Sequence, residues 1–224
     1  MAFIDELREK QRTDTTVKDI QDEFASWFEE RIQTYVKNKF DGIKHYLVSQ
    51  VEKGATGTIM GQVGFEEYRI ERFFDIPKEL REKIKKHNVT IEVPEGFTLR
   101  DYNGDITAIP RWTKNETKNW SETKGFLLWK ETTYYYEFQV SLTEFAKKIF
   151  VELARAVSQE GITMDLMNIK GVGEERIGAY STTKKEVVLK GVNDCITRTF
   201  STKSSEQYFG FGIGNITIPY SITL

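Results

Sequence analysis

The sequence predicts an α+β fold with a long N-terminal helix, a largely antiparallel sheet of hairpins or a meander, and one core helix, residues 142–160, packed across the sheet. In the first fifty positions apolar residues recur every three to five residues, which is the period of a helix. From residue 162 onward apolar and polar residues alternate, which is the period of a strand. Short turn sequences, and not helices, separate these strands, and this favours antiparallel pairing.

The long helix is expected to run from Val17 to Val51, with Thr16 as its N-cap and Gly54 after its C-terminal end. Residues 3–10 are interpreted as a separate amphipathic turn. Asp41-Gly42 is the point where the helix can bend, because glycine costs about 1 kcal/mol relative to alanine inside a helix. This suggests a helical arm, residues 1–53, followed by an α+β domain, residues 54–224, although the two can also form one continuous domain.

The middle of the chain is expected to consist of short elements. Their order is strands around 56–63 and 68–74, a helix opening at Pro77, a strand at 89–93, a hairpin at 97–109 turning at Asn103-Gly104, and a polar loop at 110–124. The hairpin turn predicts that Leu99 lies opposite Ala108.

The last part of the chain begins with a strand at 126–140, and Ser141 with Glu144 resembles a capping box for the core helix. Gly214-Asn215 is interpreted as a two-residue turn between two final strands. Gly210 and Gly212 would then lie on a nearly flat face, where a second layer or a ligand lies close.

Composition places the chain among soluble globular proteins. Its 32 basic and 34 acidic residues give a net charge of −2, so the basic excess that is usual in duplex-binding proteins is absent. No apolar run approaches the roughly 18 residues of a membrane helix. The acidic start and the single Cys195 suggest a cytoplasmic protein, and no cofactor, metal, membrane partner or catalytic residue is predicted.

The leading hypothesis is a non-catalytic interaction or structural protein that acts as a homo-oligomer. The long helix carries more apolar surface than one stripe requires, which suggests self-association through it. The candidate interface residues are Phe24, Trp27, Phe28, Tyr35 and Phe40. An alternative hypothesis is a ligand-binding module or enzyme with a site near Gly210–Gly212.

A further alternative is nucleic-acid binding. The segment Leu166–Ile177 contains Lys170, Gly171 and Gly173, and it resembles the hairpin of helix-hairpin-helix DNA-binding modules. That resemblance implies a glycine turn, followed by a helix, whose backbone N–H groups meet a phosphate. A glycine turn between two strands explains the same residues.

Tryptophan and lysine alternate in the segment 111–130, and this provides a second candidate for nucleic-acid binding. The residues are Trp112, Lys114, Lys118 and Trp120, followed by Trp129 and Lys130. A tryptophan can stack on a base while a lysine meets a phosphate. The structural alternative is that the tryptophans anchor an irregular loop to the core while the lysines are solvated.

Overall fold

A computed structural model describes residues 2–102, 105–108, 113–126, 128–177, 181–189, 196–202 and 208–224. Its helices are α1 (Ala2–Glu52), α2 (Glu67–Phe73), α3 (Lys78–Lys86) and α4 (Glu144–Ser158). Its strands are β1 (Thr58–Glu66), β2 (Phe97–Tyr102), β3 (Asp105–Ala108), β4 (Thr113–Lys124), β5 (Glu131–Ser141), β6 (Thr163–Met164), β7 (Ile169–Ile177), β8 (Ser181–Leu189), β9 (Ile196–Thr202) and β10 (Tyr208–Thr223). The α+β class predicted from the sequence is confirmed.

The described strands form three groups, and every pairing within them is antiparallel. The largest sheet has the order β1-β10-β7-β8, and β6 also pairs with β10. A second sheet has the order β4-β5-β9, and β2 pairs with β3 in a hairpin. The two halves of β10 have different neighbours, because β1 pairs with its second half and β7 chiefly with its first.

The hydrophobic core lies where α1 and α4 meet β1, α2, α3 and the end of β10. Phe28, Phe74, Phe97 and Phe145 stand at its centre, with ring centroids 4.8–6.5 Å apart in all six pairs. Helix α4 contributes a fully buried stripe that includes Ile149, Leu153 and Val157, as its period predicts. The buried cluster contains residues of α1 together with residues after 54. The proposed division into an arm and a domain stays a prediction.

Helix α1 is longer than the sequence indicated. It runs unbroken for 51 residues, through the proposed N-cap at Thr16 and through Gly42. The hydroxyls of Thr13 and Thr16 each donate to the carbonyl four residues earlier, at 2.9 Å, so these threonines are accommodated inside the helix. At about 1.5 Å per residue the helix is roughly 76 Å long.

Three short segments differ from their expected structure. Residues 67–73 form a helix and not a strand, because Ile70 and Phe74, four residues apart, are buried while Tyr68 is exposed. Residues 89–93 form no strand, and the Thr90 carbonyl accepts instead from the Gln21 side chain of α1 at 2.8 Å. The expected polar loop at 110–124 contains strand β4, which pairs with β5 alone among the described strands and so lies at the edge of the described sheet. Charged residues are common on such edges.

Strand pairings correct two further expectations. In the β2–β3 hairpin Phe97, and not Leu99, lies opposite Ala108, because the register shifts between Thr98 and Tyr102. Gly214-Asn215 is not a turn: β10 continues through it as one 16-residue strand. The register on β7 shifts between Ile213 and Asn215, so this glycine lies at an irregularity where the strand changes partners.

The N-cap of α4 is Thr143, and not Ser141. Thr143 has an extended backbone, and its Oγ1 accepts from the Ala146 N–H at 3.3 Å, while Ser141 still belongs to β5. The predicted reciprocal capping box is therefore absent, and Glu144 instead accepts from Lys147 at 2.6 Å.

We expect Thr143→Val to lower the free energy of unfolding by about 1–2 kcal/mol. The shape of this buried side chain is kept, but the Ala146 N–H loses its acceptor. Urea unfolding measures the loss, and Thr143→Ser is the matched control because it keeps the hydroxyl. Equal losses in both variants would contradict a capping role.

Candidate interaction surface

The middle of α1 is fixed to β1 and α2 by three residues spaced four apart. Arg31 donates to the Phe73 carbonyl at 2.6 Å, and its guanidinium lies 4.3 Å from the Phe73 ring. Lys39 donates to the Gly64 carbonyl at 2.5 Å and lies 5.1 Å from the Phe65 ring. Burial lowers the pKa of Lys39, and burial raises the pKa of Tyr35, which lies between them on the helix. These contacts hold the middle of α1 against β1 and α2 at the edge of the core.

The first turns of the same helix have no such support. Residues 3–15 are all exposed, and the contacts with the core begin at Val17. We call residues 3–15 the projecting end of α1; it extends about 20 Å. Phe3, Ile4 and Leu7 are 69 %, 57 % and 50 % exposed. Spacings of three and four residues place these side chains close together on the helix surface.

The structure places the predicted interface residues in the core of their own chain or against it. Phe24, Phe28 and Tyr35 are buried in the core of their own chain, and Trp27 and Phe40 are partly buried against it. The three buried side chains are therefore not available to a second copy. The apolar surplus that suggested an interface serves instead to pack α1 against several other elements. The sequence predicted an amphipathic turn that contains Phe3, Ile4 and Leu7, but it did not predict that this turn continues into the long helix.

The predicted nucleic-acid residues lie on two strands. Lys170, Gly171 and Gly173 belong to β7, which pairs on both sides, with β10 and β8. Neither a glycine turn nor a following helix exists there, so the helix-hairpin-helix interpretation is wrong for this segment. Lys114, Lys118 and Trp120 belong to β4, with Trp120 half-buried, while Trp112 lies outside the described residues. The two candidate segments for nucleic-acid binding therefore lie in different described sheets.

The predicted ligand face at Gly210–Gly212 is part of β10. These residues pair with Arg176, Glu175 and Glu174 of β7. Among the described strands this segment has β7 on one side only, because β1 and β6 pair with the later half of β10. A ligand site here stays a prediction.

One groove does lie between α1, the segment 90–92 and α4, with a volume of about 660 Å³. Phe24 and Phe28 contribute apolar surface to it, and Glu29 and Lys148 form an ion pair within it at 2.8 Å. The hydrogen bond from Lys148 is the main reason that the pKa of Glu29 is lowered. A carboxylate held ionised in this way is a weak general base.

Among the described residues no group of three or more histidine, cysteine or carboxylate side chains is arranged to hold a metal ion.

No protein-family model, curated protein or solved structure matches the chain. Within the part of the chain that the structure describes, no helix is both long enough and apolar enough to cross a membrane.

Proposed function

We propose that this protein is a non-catalytic interaction protein that self-associates through the projecting end of α1. The observation that supports the proposal is the exposure of Phe3, Ile4 and Leu7 on a helix whose later turns are fixed in the core. Exposed apolar clusters on otherwise charged surfaces are typical of contact sites. Gln11 and Thr15 follow Leu7 at spacings of four, so they continue the same face of the helix.

The charges of the projecting end fit a second copy as the occupant, because they are mixed and nearly balanced. The acidic residues are Asp5, Glu6, Glu9 and Asp14, and the basic residues are Arg8, Lys10 and Arg12, with Arg8 3.9 Å from Asp5 of its own chain. A surface of mixed charge can complement a second copy of itself. Three apolar side chains per copy bury less than the ~800 Å² per partner of a standard interface. The association is therefore weak and depends on concentration.

We expect the triple variant Phe3→Ser, Ile4→Ser, Leu7→Ser to shift the full chain from a larger species to a monomer. The cause is the loss of the apolar contact, since these exposed side chains make no part of the buried cluster. Sedimentation velocity over a range of protein concentrations measures the shift.

The matched control is Val48→Ser, Val51→Ser, which removes exposed apolar side chains at the other end of the same helix. The control should associate as the original chain does. A chain that stays monomeric at the highest concentration, or a triple variant that associates unchanged, would overturn the proposal.

A further inference from the structure

The end of the β4–β5 hairpin is the most apolar exposed part of the described chain. The last pair of the ladder is Lys124 with Glu131, and residues 125–130 connect the two strands. Phe126, Leu128 and Trp129 are 81 %, 91 % and 85 % exposed. We call the described residues of this connection, 125, 126 and 128–130, the hairpin tip. Three large side chains so fully exposed at one tip are not explained by packing within the chain.

The hairpin tip has a definite shape. The Trp129 N–H donates to the Phe126 carbonyl at 3.2 Å, which closes a tight turn. Gly125 has φ +117°, and a side chain there would collide with the Trp129 carbonyl. Below the tip the hydroxyls of Thr123 and Thr132 pair across the strands at 3.1 Å. The sequence therefore specifies a turn that displays its apolar side chains outward.

Two features favour a lipid surface over a protein as the occupant. The tip ends the hairpin, and the exposed Lys124 and Lys130 flank its apolar residues directly, with the acidic Glu122 and Glu131 further along the strands. Lysines in this position keep their ammonium groups at headgroup level while the stems cover apolar surface, and tryptophan is enriched at the membrane interface. A backbone N–H that is already bonded inside the turn also lowers the cost of entering an apolar layer.

A second copy of the chain is the less favoured occupant. The groove between α1 and α4 is lined largely by polar and charged residues, among them Asp22, Glu29, Glu92 and Lys148. Such a lining does not match an apolar tip, because its charged groups would lose water without a new partner.

We propose that the hairpin tip is a peripheral membrane contact, which places Phe126, Leu128 and Trp129 in the interfacial layer of a lipid bilayer. Lys124 and Lys130 then lie at the level of the headgroup phosphates. The contact is shallow and requires no spanning helix. It is separate from the proposed self-association, and it departs from the sequence-based expectation that no membrane is a partner.

The test is sedimentation of the full chain with vesicles of phosphatidylcholine and phosphatidylglycerol. We expect the original chain to sediment with the vesicles, and the variant Phe126→Ser, Leu128→Ser, Trp129→Ser to bind at least about tenfold more weakly. The control is Val48→Ser, Val51→Ser, which removes exposed apolar side chains outside both proposed contacts and should bind vesicles as the original chain does.

Fluorescence locates the contact on the protein. The emission of Trp129 should shift to shorter wavelength when vesicles are added, and the shift should be lost in Trp129→Phe but kept in Trp120→Phe. Absence of vesicle binding by the original chain, or unchanged binding by the tip variant, would overturn the proposal. A change in the sedimentation coefficient of the tip variant without lipid would also overturn it, in favour of a protein contact.

Discussion

Phe145→Ala is expected to lower the free energy of unfolding by about 3–5 kcal/mol. The Phe145 side chain is fully buried, and its ring lies 5.0 Å from that of Phe74, 5.5 Å from that of Phe97 and 5.8 Å from that of Phe28. Alanine removes apolar contacts with α1, with the segment after α2 and with β2 at the same time. The loss is a large part of the 5–15 kcal/mol that typically stabilises a domain.

Urea unfolding followed by circular dichroism measures the effect of Phe145→Ala. The same chemical change at an exposed position, Phe126→Ala, is the matched control and should alter the unfolding midpoint little, since that side chain contacts mainly solvent. If the two variants lost the same amount, Phe145 would not be at the centre of the core.

Helices that bury one face were the elements best predicted from the sequence. Helix α4 has apolar residues at helical spacing along its whole length, and the structure buries them. The same period gave α1 from Val17 onward but not its start, because residues 3–15 have no core to face. A helix that is already formed extends at little cost, since nucleation is the unfavourable step.

Strands at edges and irregularities were harder to predict. Strand β4 is polar along most of its length, so no alternating apolar pattern marks it. Gly214-Asn215 has the composition of a tight turn, yet it lies inside β10 because each half of that strand has its own neighbour. Pairing with distant strands decides the case of β10, and pairing with the neighbouring β5 decides the case of β4. The residues of these strands alone do not show either pairing.

The exposed surfaces on α1 and at the β4–β5 tip could not be predicted either, because exposure depends on contacts between distant parts of the chain. The aromatic residues of α1 looked like an interface because a sequence does not show how many elements pack around one helix. Phe28 alone contacts the rings of Phe74, Phe97 and Phe145. Conversely, the apolar run from Phe126 to Trp129 fits the start of a buried strand equally well. Only the end of the ladder at Lys124 and Glu131 makes it an exposed tip.

Gly96→Ala is expected to cost about 2–4 kcal/mol of unfolding free energy, from two separate causes. Gly96 has φ +91°, a conformation that side chains disfavour. A Cβ added there would also lie 2.5 Å from the Cβ of Thr143, the buried N-cap of α4. The neighbouring Glu95 carbonyl accepts from the Phe145 N–H at 2.9 Å, so a displaced loop would also disturb the first turn of α4.

Gly54→Ala separates the two causes. Gly54 has nearly the same φ, +89°, but an added Cβ meets nothing within 4 Å, so this variant carries only the backbone strain of about 1–2 kcal/mol. The loss of unfolded-state entropy on replacing glycine by alanine is common to both variants and cancels in their difference. The difference between the two urea unfolding energies therefore measures the collision with Thr143. A difference near zero would mean that the segment 94–97 does not press against the start of α4, and that the cap of this helix is more open than the packing indicates.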